Sequence, residues 1–386
     1  MTRRDQRRLA AASQVVARKA TTVEAAEQMG VSYRQAKRIL KRYRDQGTKG
    51  LQHRGRSRSS NRRIEEELKQ EILERYQEKY SGFGPTLAAE KLEEEGLEVD
   101  HETLRRWLLA SGLLQRTRRR GPHRSRRERK QHFGELVQLD GSHHRWMEDR
   151  AGESCLLCMV DDATGLAQYW MAEEESSEAA LEMLWEWVKR YGIPHSLYVD
   201  GLNVYGARRQ PTVEEQLEGL EARGPFELAC QKLGIKLIVA GSPQAKGRVE
   251  RRHGVMQDRF VKELRLHQVS TLEEARRVLR SGFVEKLNNR LALLPASEAD
   301  FHYAPDPRLD LHRVFCWEQL HTVSNDWVIQ HRSRFYQILR ENRPLPRPKD
   351  RVVVQNWLNG SLHMYFKEKE MKIQEVVTAS RVRKAG

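Results

Sequence analysis

Apolar positions along the chain change their period three times. Between residues 22 and 45, Val23, Ala26 and Met29 recur at helical spacing, and Gly30 then interrupts the run. Ser32 stands where it can cap a second helix, whose buried side would be Ala36, Ile39, Leu40 and Tyr43. Two short helices about a glycine turn form a helix-turn-helix pattern. A second helical group follows: an acidic amphipathic stretch over 64–80, a helix opened by Pro85 that carries Leu87, Ala88, Ala89 and Leu92, and a third helix capped by Asp100. After Phe133 the runs shorten. They predict strands at 136–139, 154–160, 166–171, 196–199 and 236–240, with amphipathic helices over 176–191 and 244–264. Three strands joined by hairpin-length turns, then alternating with helices, argue for a mixed α/β sheet. Beyond residue 310 there are strand-like runs at 327–329, 335–338, 351–355 and 362–366, and Asn359-Gly360 signals a hairpin, so a small antiparallel β-barrel is expected. The fold class is multidomain: an all-α N-terminal region, an α/β core and an all-β C-terminal barrel. The expected bounds are 1–60 and 61–114 for two helix-turn-helix units, 115–132 for a linker, 133–305 for the core and 310–386 for the barrel.

Composition sharpens this. The 386 residues carry a net charge of +15 and a mean hydropathy of -0.78, with no uncharged apolar run of about 18 residues, so no membrane span is expected. The first residues lack the apolar segment of a secretory signal, and an intracellular, cytoplasmic location is expected, with the four cysteines as thiols. The charge is segregated. Residues 1–130 hold 33 Lys and Arg against 18 Asp and Glu, whereas 131–386 balance at 36 of each. Such a block is either a polyanion-binding module or a solubilising arm. On the second helix of the first unit, Tyr33, Arg34, Gln35, Lys37 and Arg38 are placed to meet base edges and phosphates. Arg105 and Arg106 are the corresponding candidates of the second unit, which is equally readable as a purely structural helical group. Residues 115–130 hold nine basic residues, among them Arg118, Arg119 and Arg120, and form either a phosphate-tracking arm or a solvated linker.

Three acidic residues stand where the predicted topology would converge. Asp140 ends the first strand of the core, Asp200 ends the fourth, and Glu250 lies on the helix that follows the fifth. Clustered carboxylates repel unless a divalent cation lies between them, and hard oxygen ligands suit Mg²⁺ or Mn²⁺. Any one of them alone would be an ordinary turn residue. Asp161 and Asp162 are read in that way, as the turn before the third strand. Lys246, one helical turn before Glu250, is placed to hold a phosphate, and Arg248 extends the same basic surface. Cys155 and Cys158 form a C-x-x-C inside an apolar strand, and buried packing is expected rather than zinc.

In combination, LVQLDGS, CMVDDATG, YVDGLNVY and SPQAKGRVERRHGVMQDRFVKELR resemble the catalytic core of the DDE transposases and retroviral integrases, and within them the ISNCY group of bacterial insertion-sequence transposases. The resemblance covers about 134–305. It implies an RNase H-like integrase core in which Asp140, Asp200 and Glu250 ligate two Mg²⁺ or Mn²⁺ ions. It further implies 3′-end cleavage at the terminal inverted repeats of the element and strand transfer into target DNA. The partners would be double-stranded DNA and further copies of the chain, in a bacterial cytoplasm and on the nucleoid when DNA is bound. The stretch between Asp200 and Glu250 is longer than the family's usual spacing, which implies an insertion around 208–224. A catalytically inactive DNA-binding regulator and an RNase H-like nuclease that hydrolyses without joining are the alternatives.

The charge distribution carries its own prediction. Affinity for duplex DNA is expected to fall steeply with salt, each neutralised phosphate adding about 0.9 to the log-log slope. A filter-binding series over salt concentration measures this, and a flat response would remove the phosphate-tracking role of the basic third.

Overall fold

The computed structural model describes residues 2–51, 64–115, 128–201, 203–206, 223–239 and 246–376. Thr2 opens helix α1 (Arg3–Val16) with a reciprocal cap, its hydroxyl accepting from the Asp5 N–H at 3.2 Å while the Asp5 carboxylate accepts from the Thr2 N–H at 3.0 Å. Helix α2 (Thr22–Met29) ends at Gly30 in the left-handed region, φ 63°, and the Ser32 hydroxyl accepts from the Gln35 N–H at 3.4 Å to start α3 (Tyr33–Gln46). The buried side of α3 is Ala36, Ile39 and Leu40, as expected, but that of α2 is Ala25, Ala26 and Met29, with Val23 56% exposed. The small alanines let α2 approach α1, whose own buried apolar face is Ala11 and Ala12.

Helices α4 (Glu66–Lys79), α5 (Pro85–Glu94) and α6 (His101–Ala110) bury Ile72, Tyr76, Leu87, Leu92, Leu104 and Leu108. The Tyr76 hydroxyl donates to the Phe83 carbonyl at 2.9 Å, and the Asp100 carboxylate accepts from the N–H groups of Glu102 and Thr103, both at 3.1 Å. These six helices belong to one compact unit, Met1–Gln115, and the rest of the chain forms another.

The second unit is built on a five-stranded sheet of order β3-β2-β1-β4-β5. Strands β1 (Val137–His144), β2 (Ser154–Asp161) and β3 (Ala167–Ala172) form an antiparallel meander, and β4 (Ser196–Val199) and β5 (Lys236–Val239) add in parallel on the other side of β1. This is the order and sense of an RNase H-like core. Alternation divides the sheet into two faces. Val137, Leu139, Cys155 and Leu157 pack with α7 (Ser177–Tyr191) and α8 (Pro225–Lys232) on one. Leu156, Cys158, Val160 and Tyr169 pack with Val249, Met256 and Phe260 of α9 (Gly247–Leu266) on the other. Cys155 and Cys158 thus lie on opposite faces of one strand, which rules out joint ligation of a metal.

The C-terminal residues form two sheets rather than the expected closed barrel. One has the order β11-β10-β9-β6, from β6 (Cys316–Thr322), β9 (Arg351–Trp357), β10 (Leu362–Phe366) and β11 (Lys369–Glu370). The other has the order β12-β8-β7, from β7 (Val328–His331), β8 (Arg334–Ile338) and β12 (Ile373–Val376). Both contribute to one core of Ile329, Tyr336, Ile338, Val352, Val354 and Met364. The passage from β8 to β9 contains Pro344, Pro346 and Pro348, which lack the N–H donors that a continuous ladder would need there. Among the described residues, no helix is long and apolar enough to cross a membrane.

Trp187 is fully buried between α7 and the sheet, and its indole N–H reaches His302 Nε2 at 3.2 Å. Trp187→Ala is expected to destabilise the second unit by about 3–5 kcal/mol, read as a lower urea midpoint for loss of its helical signal.

Candidate active site

Gln138 and Asp140, two residues apart on β1, project to the α9 side of the sheet, and Asp140 lies across from Cys158. β1 and β4 run parallel, with Gln138 opposite Tyr198, so Asp140, which lies in the middle of β1 rather than at its expected end, comes level with Asp200, the residue after the end of β4. The Lys246 ammonium sits between them, donating to Asp140 Oδ1 at 2.8 Å and lying 3.8 Å from Asp200 Oδ2. Its side chain is only 7% exposed, so this is a buried charge held by two carboxylates. His253 Nε2 lies 3.7 Å from the other Asp140 oxygen, a charge contact too long for a hydrogen bond. Burial pushes the Asp140 carboxyl up, but His253 and Lys246 outweigh it and leave the group below its ordinary value.

Glu250 occupies the first turn of α9, one turn from Lys246, and is exposed, with no hydrogen bond or ion pair to the described residues. The structure therefore gathers Asp140, Asp200 and Lys246, and leaves Glu250 facing solvent. Arg248 is drawn away from the surface, its Nε donating to the fully buried Asp162 at 2.6 Å. Asp161 is also fully buried and organises the turn before β3, accepting from the Thr164 N–H and hydroxyl at 2.7 Å each.

Glu175, which the sequence reading missed, is the acid at the end of β3, ahead of the Ser176 cap of α7. Like Asp140 it is an acid that follows an apolar run in the sequence, but the adjacent Glu173 and Glu174 hide it as part of a charge run. Burial pushes its carboxyl up, the Tyr205 hydroxyl pulls it down, and the charges of Asp140 and Asp200 add to the rise. Ligand atoms of Glu175, His143 and Cys155 lie within 4.8 Å of one another. The Cys155 thiol, however, is pushed up to about 12 by burial and by Glu175, so it remains protonated.

In the first unit, Tyr33, Arg34, Lys37 and Arg38 are exposed on α3 and Gln35 is half-buried, with the Lys37 ammonium 5.0 Å from the centre of the Tyr33 ring. Arg105 and Arg106 are exposed on α6, where Arg105 Nη1 bonds Glu102 at 3.0 Å and Arg106 Nη2 bonds the Thr103 hydroxyl at 3.1 Å. Arg118, Arg119 and Arg120 lie outside the described residues.

Comparison with known proteins agrees with these features. A helix-turn-helix domain matches residues 7–59 and a homeodomain-like domain matches residues 35–108. The chain is 38% identical to the putative transposase y4bF of Sinorhizobium fredii, the match covering 81% of this chain and 68% of that protein. The chain belongs to the transposase family of that protein. A second relative of this transposase, the transposase for insertion sequence IS1202 of Streptococcus pneumoniae, is 29% identical over 75% of this chain and 68% of its own length. The catalytic core domain of HTLV-2 integrase in complex with magnesium aligns with 39% of the transposase and 85% of that chain at 18% identity and a TM-score of 0.30. The simian T-cell lymphotropic virus intasome in complex with PP2A regulatory subunit B56 gamma aligns with 74% of the transposase and 94% of that chain at 15% identity and a TM-score of 0.34. At these scores neither structure adds to what the strand order already shows.

The depressed carboxyl of Asp140 makes a pH prediction for the metal-free transposase. A lowered folded-state value contributes stability above the unfolded value of about 3.9, and that contribution is lost as pH falls through the folded value. The stability advantage of wild type over Asp140→Asn, measured by urea unfolding in EDTA, is therefore expected to be present at pH 6 and to shrink as pH falls below the unfolded value toward the lowered folded one.

Proposed function

We propose that the transposase binds the terminal inverted repeats of its own element through the N-terminal helices, cuts the 3′ ends by hydrolysis, and joins them to target DNA by transesterification. The observation that carries this is the meeting of Asp140 and Asp200 on the buried Lys246 ammonium, at 2.8 and 3.8 Å. A cation held between two carboxylates borne by neighbouring parallel strands stands where a hard divalent ion fits, and the donor set is all oxygen. Asp140 and Asp200, with Glu250 one turn beyond Lys246, would hold Mg²⁺ or Mn²⁺, two ions per site. When bound, such ions activate the attacking oxygen and stabilise the leaving one.

The remaining work falls to the chain. Lys246, between Asp140 and Asp200 and one turn from Glu250, would hold a non-bridging phosphate oxygen beside the ions. Tyr33, Arg34, Gln35, Lys37 and Arg38 would enter the major groove at the element ends, with Arg105, Arg106 and the basic 118–120 run on phosphates. Pairing two ends requires at least two copies of the chain on DNA. Its place of action is the bacterial nucleoid.

The test is a strand-transfer assay with labelled element ends and Mg²⁺ or Mn²⁺. Joined products are expected with wild type and are expected to fall to background in Asp140→Asn and Glu250→Gln, while end binding persists. Cleavage without joining would make the protein a nuclease, binding without either reaction would make it a regulator, and an active Glu250→Gln would remove Glu250 from the site.

A further inference from the structure

The face of the sheet opposite Asp140 carries a second cluster, of mixed donors. His143 on β1 and Cys155 on β2 are directly opposite each other in the antiparallel register, so their side chains stand side by side on the α7 face. Gly141, two residues before His143, shares that face and has no side chain to fill it. A Cβ at position 141 would lie 3.0 Å from Cys155 Sγ, 2.6 Å from Glu175 Cδ and 2.7 Å from Glu175 Oε2, so the glycine admits the thiol and the carboxylate to one place. The ligand atoms of His143, Cys155 and Glu175 consequently all lie within 4.8 Å of one another.

Glu175 is oriented from behind. Its Oε1 accepts from the hydroxyl of Tyr205, which is fully buried on the short turn Asn203–Tyr205, while Oε2 has no hydrogen-bond partner among the described residues. The His143 side chain, exposed near the end of β1, likewise makes no hydrogen bond or ion pair to the described residues. Two of the three donors are therefore held close together with lone pairs to spare.

Imidazole nitrogen, thiol sulfur and carboxylate oxygen are a donor set unlike the all-oxygen pair of Asp140 and Asp200. Sulfur selects thiophilic ions, and three protein ligands with a fourth position open to water suit Zn²⁺ or Co²⁺ in tetrahedral geometry. The exposed side of His143 leaves that fourth position to solvent. In the metal-free protein burial and Glu175 keep the Cys155 thiol protonated, and the Ser142 backbone hydrogen bond works in favour of the thiolate. A thiophilic ion bonds the sulfur as the S–H bond breaks and the proton leaves to solvent, whereas Mg²⁺, a hard ion, gains little from sulfur.

We propose that His143, Cys155 and Glu175 form a site for a thiophilic divalent cation, Zn²⁺ or a similar ion, separate from the Asp140 and Asp200 pair on the other face. The ion ties β1 and β2 to the β3–α7 junction, and through Tyr205 to the turn that follows Asp200. The site is independent of the hard ions proposed for the Asp pair.

Titration of the full-length, reduced, DNA-free protein with Co²⁺ in excess Mg²⁺ tests it by absorption, without any catalytic readout. Wild type is expected to develop a near-ultraviolet thiolate-to-Co²⁺ charge-transfer band that Mg²⁺ alone does not produce, and Cys155→Ser is expected to lose it. Glu175→Gln, which keeps the shape and the Tyr205 hydrogen bond, and His143→Ala are each expected to weaken Co²⁺ binding by about tenfold or more. Absence of the band in wild type overturns the site. Its persistence in Cys155→Ser does so too, because the sulfur would then come from another cysteine, and unchanged affinity in either His143→Ala or Glu175→Gln breaks the three-ligand set. If circular dichroism shows Cys155→Ser or Glu175→Gln unfolded, His143→Ala, at an exposed position, decides by the same criterion.

Discussion

The placement of α9 on the sheet depends on the buried carboxylate of Asp162. It accepts from Gln138 Nε2 at 2.9 Å, from the Lys130 N–H at 2.9 Å and from Arg248 Nε at 2.6 Å, and Gln138 Oε1 in turn accepts from the Val249 N–H at 3.3 Å. Apolar contacts from Val249, Met256 and Phe260 hold the helix down, but they are non-directional and would tolerate a slip along the strands. The hydrogen-bonded network does not tolerate one. Breaking one partner of such a buried pair costs about 3–5 kcal/mol, so the first turn of α9, with Lys246 at its entrance, has a single register against Asp140.

That register sets an electrostatic conflict at the centre of the molecule. A cluster of carboxylates repels a phosphate backbone, yet DNA is what the protein must bring to it. The chain separates the two demands. Its first 130 residues carry the whole net charge of +15, and its remaining residues are neutral. Part of that charge stands on the exposed face of α3, as Arg34, Lys37 and Arg38, apart from the acids of the core. Lys246 eases the conflict locally as an internal counter-ion.

Most of the core was legible in the residues because its strands are continuous apolar runs and its helices have sharp caps, such as Ser176. Asp140 and Asp200 were legible because each ends such a run. What escaped detection had weak local signals. Helix α1 has an apolar face of alanines set among arginines, β6 is an edge strand with mixed polarity in CWEQLHT, and β12 alternates too little to stand out. The closed barrel failed for a related reason, since strand count predicts β structure but hydrogen-bond closure depends on the proline-broken passage before β9. Glu175 was hidden for a different reason. Its significance lies in Gly141 and Tyr205, neither of which is near it in sequence, and no local pattern reports a contact across three segments.

The long separations among these acids have a consequence for synthesis. Asp140, Asp200 and Lys246 come from three segments spread over more than a hundred residues, and they meet only when β1, β4 and α9 have all docked. A nascent chain that has emerged only as far as β4 presents its basic helices before Lys246 can join the two acids, and a proteolytic fragment that lacks α9 has the acids without their counter-ion. Completion of the fold thus acts as a safety catch, since the helix-turn-helix region is finished early in translation and the acidic centre only late.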